Sequence, residues 1–219
     1  MLMVALLSGC AGTEPASRGA SLEPTVQAVL PGVAADAHFA TAEALAREWD
    51  PEARSWAVVT FEFGEGFPAD ARENPLLAAY NVSDPVVGDG LARVWTYSFR
   101  ASPDGLPLLP REHPAFVVNM ADDGRVLSAY ETDRDDEGAL GQAPLGSWAV
   151  GSAEAARAAA AEDTDYALAV GTDGPRGAAM LLQGGRDGDH GGPVWDLVLS
   201  EDGEEIHVAI DARTGRPPR

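Results

Sequence analysis

The chain is 219 residues long and 45% apolar, and its fifteen basic residues, all arginine, face thirty-five acidic ones. A formal net charge of −20 excludes a nucleic-acid binder that works through a basic stripe, because such a surface repels phosphates. A single cysteine leaves no internal disulfide to form, so stability must come from an ordinary hydrophobic core, and the length allows one large core or two small ones.

Residues Met1 to Leu7 form an apolar lead that ends in Ser8, Gly9 and Cys10. Leu7-Ser8-Gly9-Cys10 resembles the lipobox of bacterial and archaeal lipoproteins. The resemblance implies that residues 1–9 are a signal peptide and that Cys10 carries a lipid. The folded body is then held at the cell membrane, facing the extracytoplasmic side. The lead is short and has no basic residues before it, so the true start is expected upstream of Met1. The alternative for this segment is a buried N-terminal strand in which Cys10 is a small core residue. It cannot span a bilayer by itself, which takes about 20 apolar residues. Residues 10–33 begin with small, polar and proline-broken sequence, as a flexible tether would.

The first predicted helix runs from Asp36 to Trp49, where Phe39, Ala42, Leu45, Ala46 and Trp49 fall on one face and Asp50-Pro51 stops it. Ser55 to Phe63 alternates as a strand, and Leu91 to Arg100 does so with Trp95, Tyr97 and Phe99 on one side. Gly64 to Gly90, between them, reads as a long loop that is either functional or an insertion with a helical turn of its own around Leu76 to Tyr80. Ala115 to Met120 and Arg125 to Tyr130 flank Asp122-Asp123-Gly124, the turn chemistry of a hairpin. The acidic and then Gly/Pro-containing stretch that follows marks a linker over 133–147 between a first helix-plus-sheet domain, 34–132, and a second, 148–219.

In the second part Ser152 to Glu162 reads as an alanine-rich helix capped by Ser152, and Tyr166 to Val170 reads as a short strand. Gly177 to Gln183, Pro193 to Ser200 and Ile206 to Ala212 follow as strands, the last two as a hairpin. Thr41 to Arg47 answers Ser152 to Arg157, Val94 to Phe99 answers Val194 to Leu199, and Asp123-Gly124-Arg125 answers Thr214-Gly215-Arg216. An internal repeat is one explanation, and two unrelated halves of similar make-up are the other.

The helix start Ser152 to Ala156, Trp195 opening a strand, and the ending Val208-Ala209-Ile210-Asp211-Ala212-Arg213-Thr214-Gly215 resemble the PepSY family. The resemblance covers about 70 residues of the second half, and the first half only loosely. It implies a helix packed on a small antiparallel sheet in a secreted or membrane-attached protein, sometimes a peptidase propeptide or inhibitor. The expected fold class is α+β, with two similar halves, each PepSY-like or cystatin-like. Asp211 and Gly215 also suit a plain tight turn, where an Asp side chain bonds the backbone two residues on and glycine takes positive φ.

No chemistry-bearing motif stands out. The histidines at 38, 113, 190 and 207 form no His-x-x-x-His pair, so no metal is expected. Asp133 to Gly138 begins like a calcium loop, but Pro144 stands where a bidentate Glu is needed. Asp187-Gly188-Asp189-His190 reads as a glycine-rich loop before it reads as a cation site. The expectation is a non-enzymatic binding or accessory module without a cofactor. Its partners are the bilayer through acylated Cys10 and a peptide or protein, with Trp95 and Trp195 shaping a groove. The alternatives are a hydrolase using dispersed carboxylates such as Glu65, Asp70 and Glu73, and a cation-binding surface protein.

Overall fold

A computed structural model describes residues 32–62, 87–101, 114–132, 143–171, 177–184, 192–201 and 204–218. The fold is α+β: among the described residues three α-helices lie on one antiparallel sheet of seven strands. The helices are α1 (Phe39–Trp49), α2 (Ser152–Glu162) and α3 (Thr164–Gly171). The strands are β1 (Arg54–Glu62), β2 (Val94–Arg100), β3 (Ala115–Ala121), β4 (Val126–Thr132), β5 (Gly177–Gln183), β6 (Val194–Glu201) and β7 (Glu204–Asp211).

The strand order is β4-β3-β2-β1-β5-β6-β7. Instead of two separate small sheets there is one, joined where β1 pairs antiparallel with β5 through Val58 and Leu182, Val59 and Leu181, and Thr60 and Met180. At this join the helix-facing positions Val58 on β1 and Met180 and Leu182 on β5 are all fully buried, so neither edge could be left to solvent. One row of side chains crosses the sheet as Ile210, Trp195, Leu182, Val58, Tyr97 and Val118. All six are 0% exposed, and they form the floor of the core.

The helix faces that cover this floor are narrow. α1 buries Ala42 and Ala46 completely, and Phe39, Leu45 and Trp49 flank them as the predicted stripe requires. α2 buries Ala155, Ala156 and Ala159. Small residues on the helices let the backbone approach closely while Trp95, Tyr97 and Phe99 fill the space from below, a division of volumes that close packing favours. Asp50 ends α1 in extended conformation, with its N–H on Ala46 O at 2.9 Å and its Oδ1 taking the Glu52 N–H at 2.8 Å.

Two local readings of the sequence are corrected. Tyr166 to Val170 is not a strand but the body of α3. Asp163 Oδ1 accepts the Tyr166 N–H at 2.9 Å and so caps this short helix, and five apolar residues carry too little periodicity to separate helix from strand. Ser152 is not a cap. Gly151 holds the N-cap position of α2, and the Ser152 hydroxyl turns inward, fully buried.

On either side of the β1–β5 junction, β2 and β3 occupy positions matching those of β6 and β7. Trp95 pairs with Met120 as Trp195 pairs with Ile210. Asp122 N–H bonds Arg93 O as Ala212 N–H bonds Pro193 O, at 2.8 and 2.9 Å. Gly124 and Gly215, in the turns that follow, both take left-handed φ, +84° and +68°. Among the described strands β4 has no counterpart.

Candidate functional site

Trp95 and Trp195 meet at the centre of the molecule. Their ring centroids are 6.3 Å apart, edge to face, and the residues are 1% and 0% exposed. Each indole N–H donates at 2.8 Å to a carbonyl just ahead of a helix, Trp95 to Val33 O and Trp195 to Val150 O. A buried, satisfied indole is a packing anchor, so neither ring lines a surface groove. The alternation of β2 and β6 puts them there, pointing at the helices.

Around them, polar side chains tie the helix starts to the sheet. Tyr97 Oη donates to Ala35 O at 2.7 Å, and Tyr166 Oη donates to Gly88 O at 3.0 Å. Burial raises both phenol pKa values. Asp36 adds to the rise at Tyr97, and Asp89 adds to it at Tyr166. Ser152 Oγ donates to Gly90 O at 2.6 Å and accepts the Ala35 N–H at 2.9 Å.

Above this junction lies an open cleft of about 390 Å³ between the residues before α1 and the start of α2, with Asp36, Trp148, Gly151 and Glu154 in its walls. Trp148 leans edge-on against Phe39, with centroids 4.5 Å apart. The two carboxylates give the cleft an acceptor-rich, acidic lip. The sequence offered little warning of Trp148, which stands alone in a Gly/Pro-containing stretch without periodicity.

The segment from Val208 to Gly215 ends in the tight turn that Asp211 and Gly215 suit. Asp211 Oδ1 accepts the N–H groups of Arg213 and Thr214 at 2.8 and 3.0 Å, and Gly215 N–H closes the turn on Asp211 O at 2.9 Å. In the matching turn, Asp123 takes the backbone N–H and the guanidinium of Arg125. These hold its carboxyl below the ordinary carboxylate range. His38 Nε2 lies 2.9 Å from Asp122 O and braces that turn against α1.

The remaining sites expected from sequence, Cys10, Glu65, Asp70, Glu73, Asp133 to Gly138 and Asp187 to His190, lie outside the described residues. Among the described residues no three His, Cys, Asp or Glu side chains stand together as a metal cluster, and no helix is long and apolar enough to cross a membrane. The sheet presents two outer strands. β4 exposes Val126 and Tyr130, at 44% and 46%, and β7 exposes Glu204, Glu205 and His207.

No family model matches the chain, and no curated protein matches it. A solved chain that aligns with this one is described as a "putative lipoprotein (CD1622)" from Clostridium difficile 630. It is 11% identical, the alignment covers 83% of this chain and 90% of that one, and the TM-score is 0.44.

Proposed function

We propose that the protein is a lipid-anchored, extracytoplasmic binding or accessory module, non-enzymatic, which takes an extended peptide segment along an edge of its sheet and in doing so can modulate a peptidase. The observation that carries the peptide reading is the exposed strand edge. An antiparallel sheet with an open side offers a row of backbone donors and acceptors to an incoming strand. The anchor rests on Leu7-Ser8-Gly9-Cys10 and on the small, polar tether after it. Two PepSY-like halves, fused at β1 and β5, are the second part of the proposal. The matched bonds of Trp95 and Trp195 to Val33 and Val150 support it, together with the matched turns at Gly124 and Gly215.

Radiolabelled palmitate fed to cells producing the full chain should label the protein, and Cys10→Ser should abolish both label and membrane retention. Retention of the label by the serine variant would remove the anchor. Screening a random peptide library against the purified body, with hydrogen exchange to locate the contact, tests the edge. Ligands that protect β4 or β7 support the module, and a library that yields no ligand defeats it.

A further inference from the structure

The outer edges of β3 and β7 begin alike and then diverge. Ala121 N–H bonds Arg125 O at 2.8 Å, and from there the chain runs back along β3 as β4. At the matching place Asp211 N–H bonds Arg216 O at 2.8 Å, but Pro217 and Pro218 come next, and neither has an N–H with which to continue a ladder. β7 therefore ends the sheet, and no described strand lies on its outer side. Because Asp211 N–H points outward and Ala212 N–H points inward to Pro193 O, alternation directs the N–H groups of Ala209, His207 and Glu205 outward as well.

β4 shows what such an edge accepts: an antiparallel segment of seven residues, Val126-Leu127-Ser128-Ala129-Tyr130-Glu131-Thr132. The two edges differ in charge at one end. β3 has Ala115 opposite Thr132, and β7 has Glu205 at the matching position with Glu204 beside it, both exposed. Glu205 reaches back only to His207, at 3.0 Å. A second copy of the chain would bring another formal charge of −20 to the same place, and like charge opposes that pairing.

We propose that the outer edge of β7, from Glu205 to Ala209, docks an extended peptide segment that runs antiparallel to it and carries Arg or Lys at its C-terminal end, opposite Glu204 and Glu205. This rests on the peptide-binding reading above and fixes the edge, the direction and the charge of the ligand. β-Strand addition supplies the ladder, and the carboxylates supply selectivity.

The probe is the β4 segment itself as an acetylated peptide with its last two residues changed to arginine, compared with the same peptide ending in two glutamates. The arginine peptide is expected to bind at least about tenfold more tightly. Glu204→Arg with Glu205→Arg, two surface changes, should reverse that preference. His207→Pro should abolish binding, whereas Glu131→Pro on the opposite edge should leave it unchanged, with thermal melts confirming that each variant folds. Equal affinity for both peptides, or loss on Glu131→Pro alone, overturns the assignment to β7 and leaves edge binding in place. Concentration-dependent dimerisation that His207→Pro abolishes would make a second copy the occupant and also overturn it. Absence of binding by the arginine peptide, while library peptides still bind elsewhere, overturns this inference alone.

Discussion

Ser152 accepts the backbone N–H of Ala35 on its hydroxyl at 2.9 Å, although the two residues are 117 positions apart. The same hydroxyl donates to Gly90 O. One buried side chain thus joins two segments that the backbone bridge between Val33 and Ala92 also holds together.

Ser152→Ala leaves the Ala35 N–H and the Gly90 carbonyl without that partner, and neither loop can turn to water without opening the core. The expected loss is about 1–3 kcal/mol, the cost of stranding buried polar groups. A chemical denaturation midpoint measures it, and an unchanged midpoint would show that the loops find other partners.

Gly90 has φ +73°, and a Cβ there would stand 2.2 Å from Ser152 O, a backbone atom with nowhere to go. Gly146 also has positive φ, +62°, but no heavy atom lies within 4 Å of its would-be Cβ. Gly146→Ala should cost about 1–2 kcal/mol from the left-handed backbone alone. Gly90→Ala should cost at least about 3 kcal/mol or prevent folding, since overpacking adds to the same strain. Similar losses for both would mean that α2 shifts easily.

Trp95→Phe and Trp195→Phe each remove an indole N–H from a buried carbonyl. Each should lower stability by about 1–3 kcal/mol, and by similar amounts because the two bonds match. Since the rings touch, at 6.3 Å between centroids, replacing both by leucine should depart from additivity by about 0.5–1.5 kcal/mol. Strict additivity in denaturant unfolding would show that the ring contact contributes nothing.

Tyr97 and Tyr166 bind their phenol protons more tightly when folded than when unfolded. Their contribution is fully present below the ordinary tyrosine value of about 10 and is lost as pH climbs toward the higher folded values. The protein should therefore weaken progressively above about pH 10, with these two phenols ionising only on unfolding. Absorbance at the phenolate band against pH follows this. Tyr97→Phe and Tyr166→Phe should each remove one late-titrating group, and early ionisation of both in the folded protein would contradict their burial.

Much of this architecture can be read from residue patterns, and the exceptions have physical causes. Trp95, Tyr97 and Phe99 announce β2 because period-two alternation of large side chains is hard to satisfy in any other way. Val208, Ile210, Asp211 and Gly215 mark both a strand and the turn that ends it. Tyr166 to Val170 misleads because a short apolar run has no phase, and the decisive group, Asp163, lies outside it. The pairing of β1 with β5 cannot be read at all, since nothing local distinguishes an edge that meets solvent from one that meets a distant strand. Trp95 and Trp195 point to the centre of the fold rather than to a ligand, which large aromatic residues on core-facing strand positions commonly do. The cleft beside Trp148 depends on how two loops meet, which no spacing encodes.

The junction of β1 and β5 also sets an order of events during folding. Val59 and Leu181 are 122 positions apart, so β1 has a neighbour on one side as soon as β2 is made and waits for the rest of the chain to gain the other. Through that interval one edge of β1, with Ala57, Val58 and Val59 in its middle, lies unpaired, the situation in which chains stick to one another. Closing so long a loop is slow. Nascent chains stalled before residue 177 should therefore need protection that longer ones do not, because β5, made long after β1, shields what becomes the centre of the sheet.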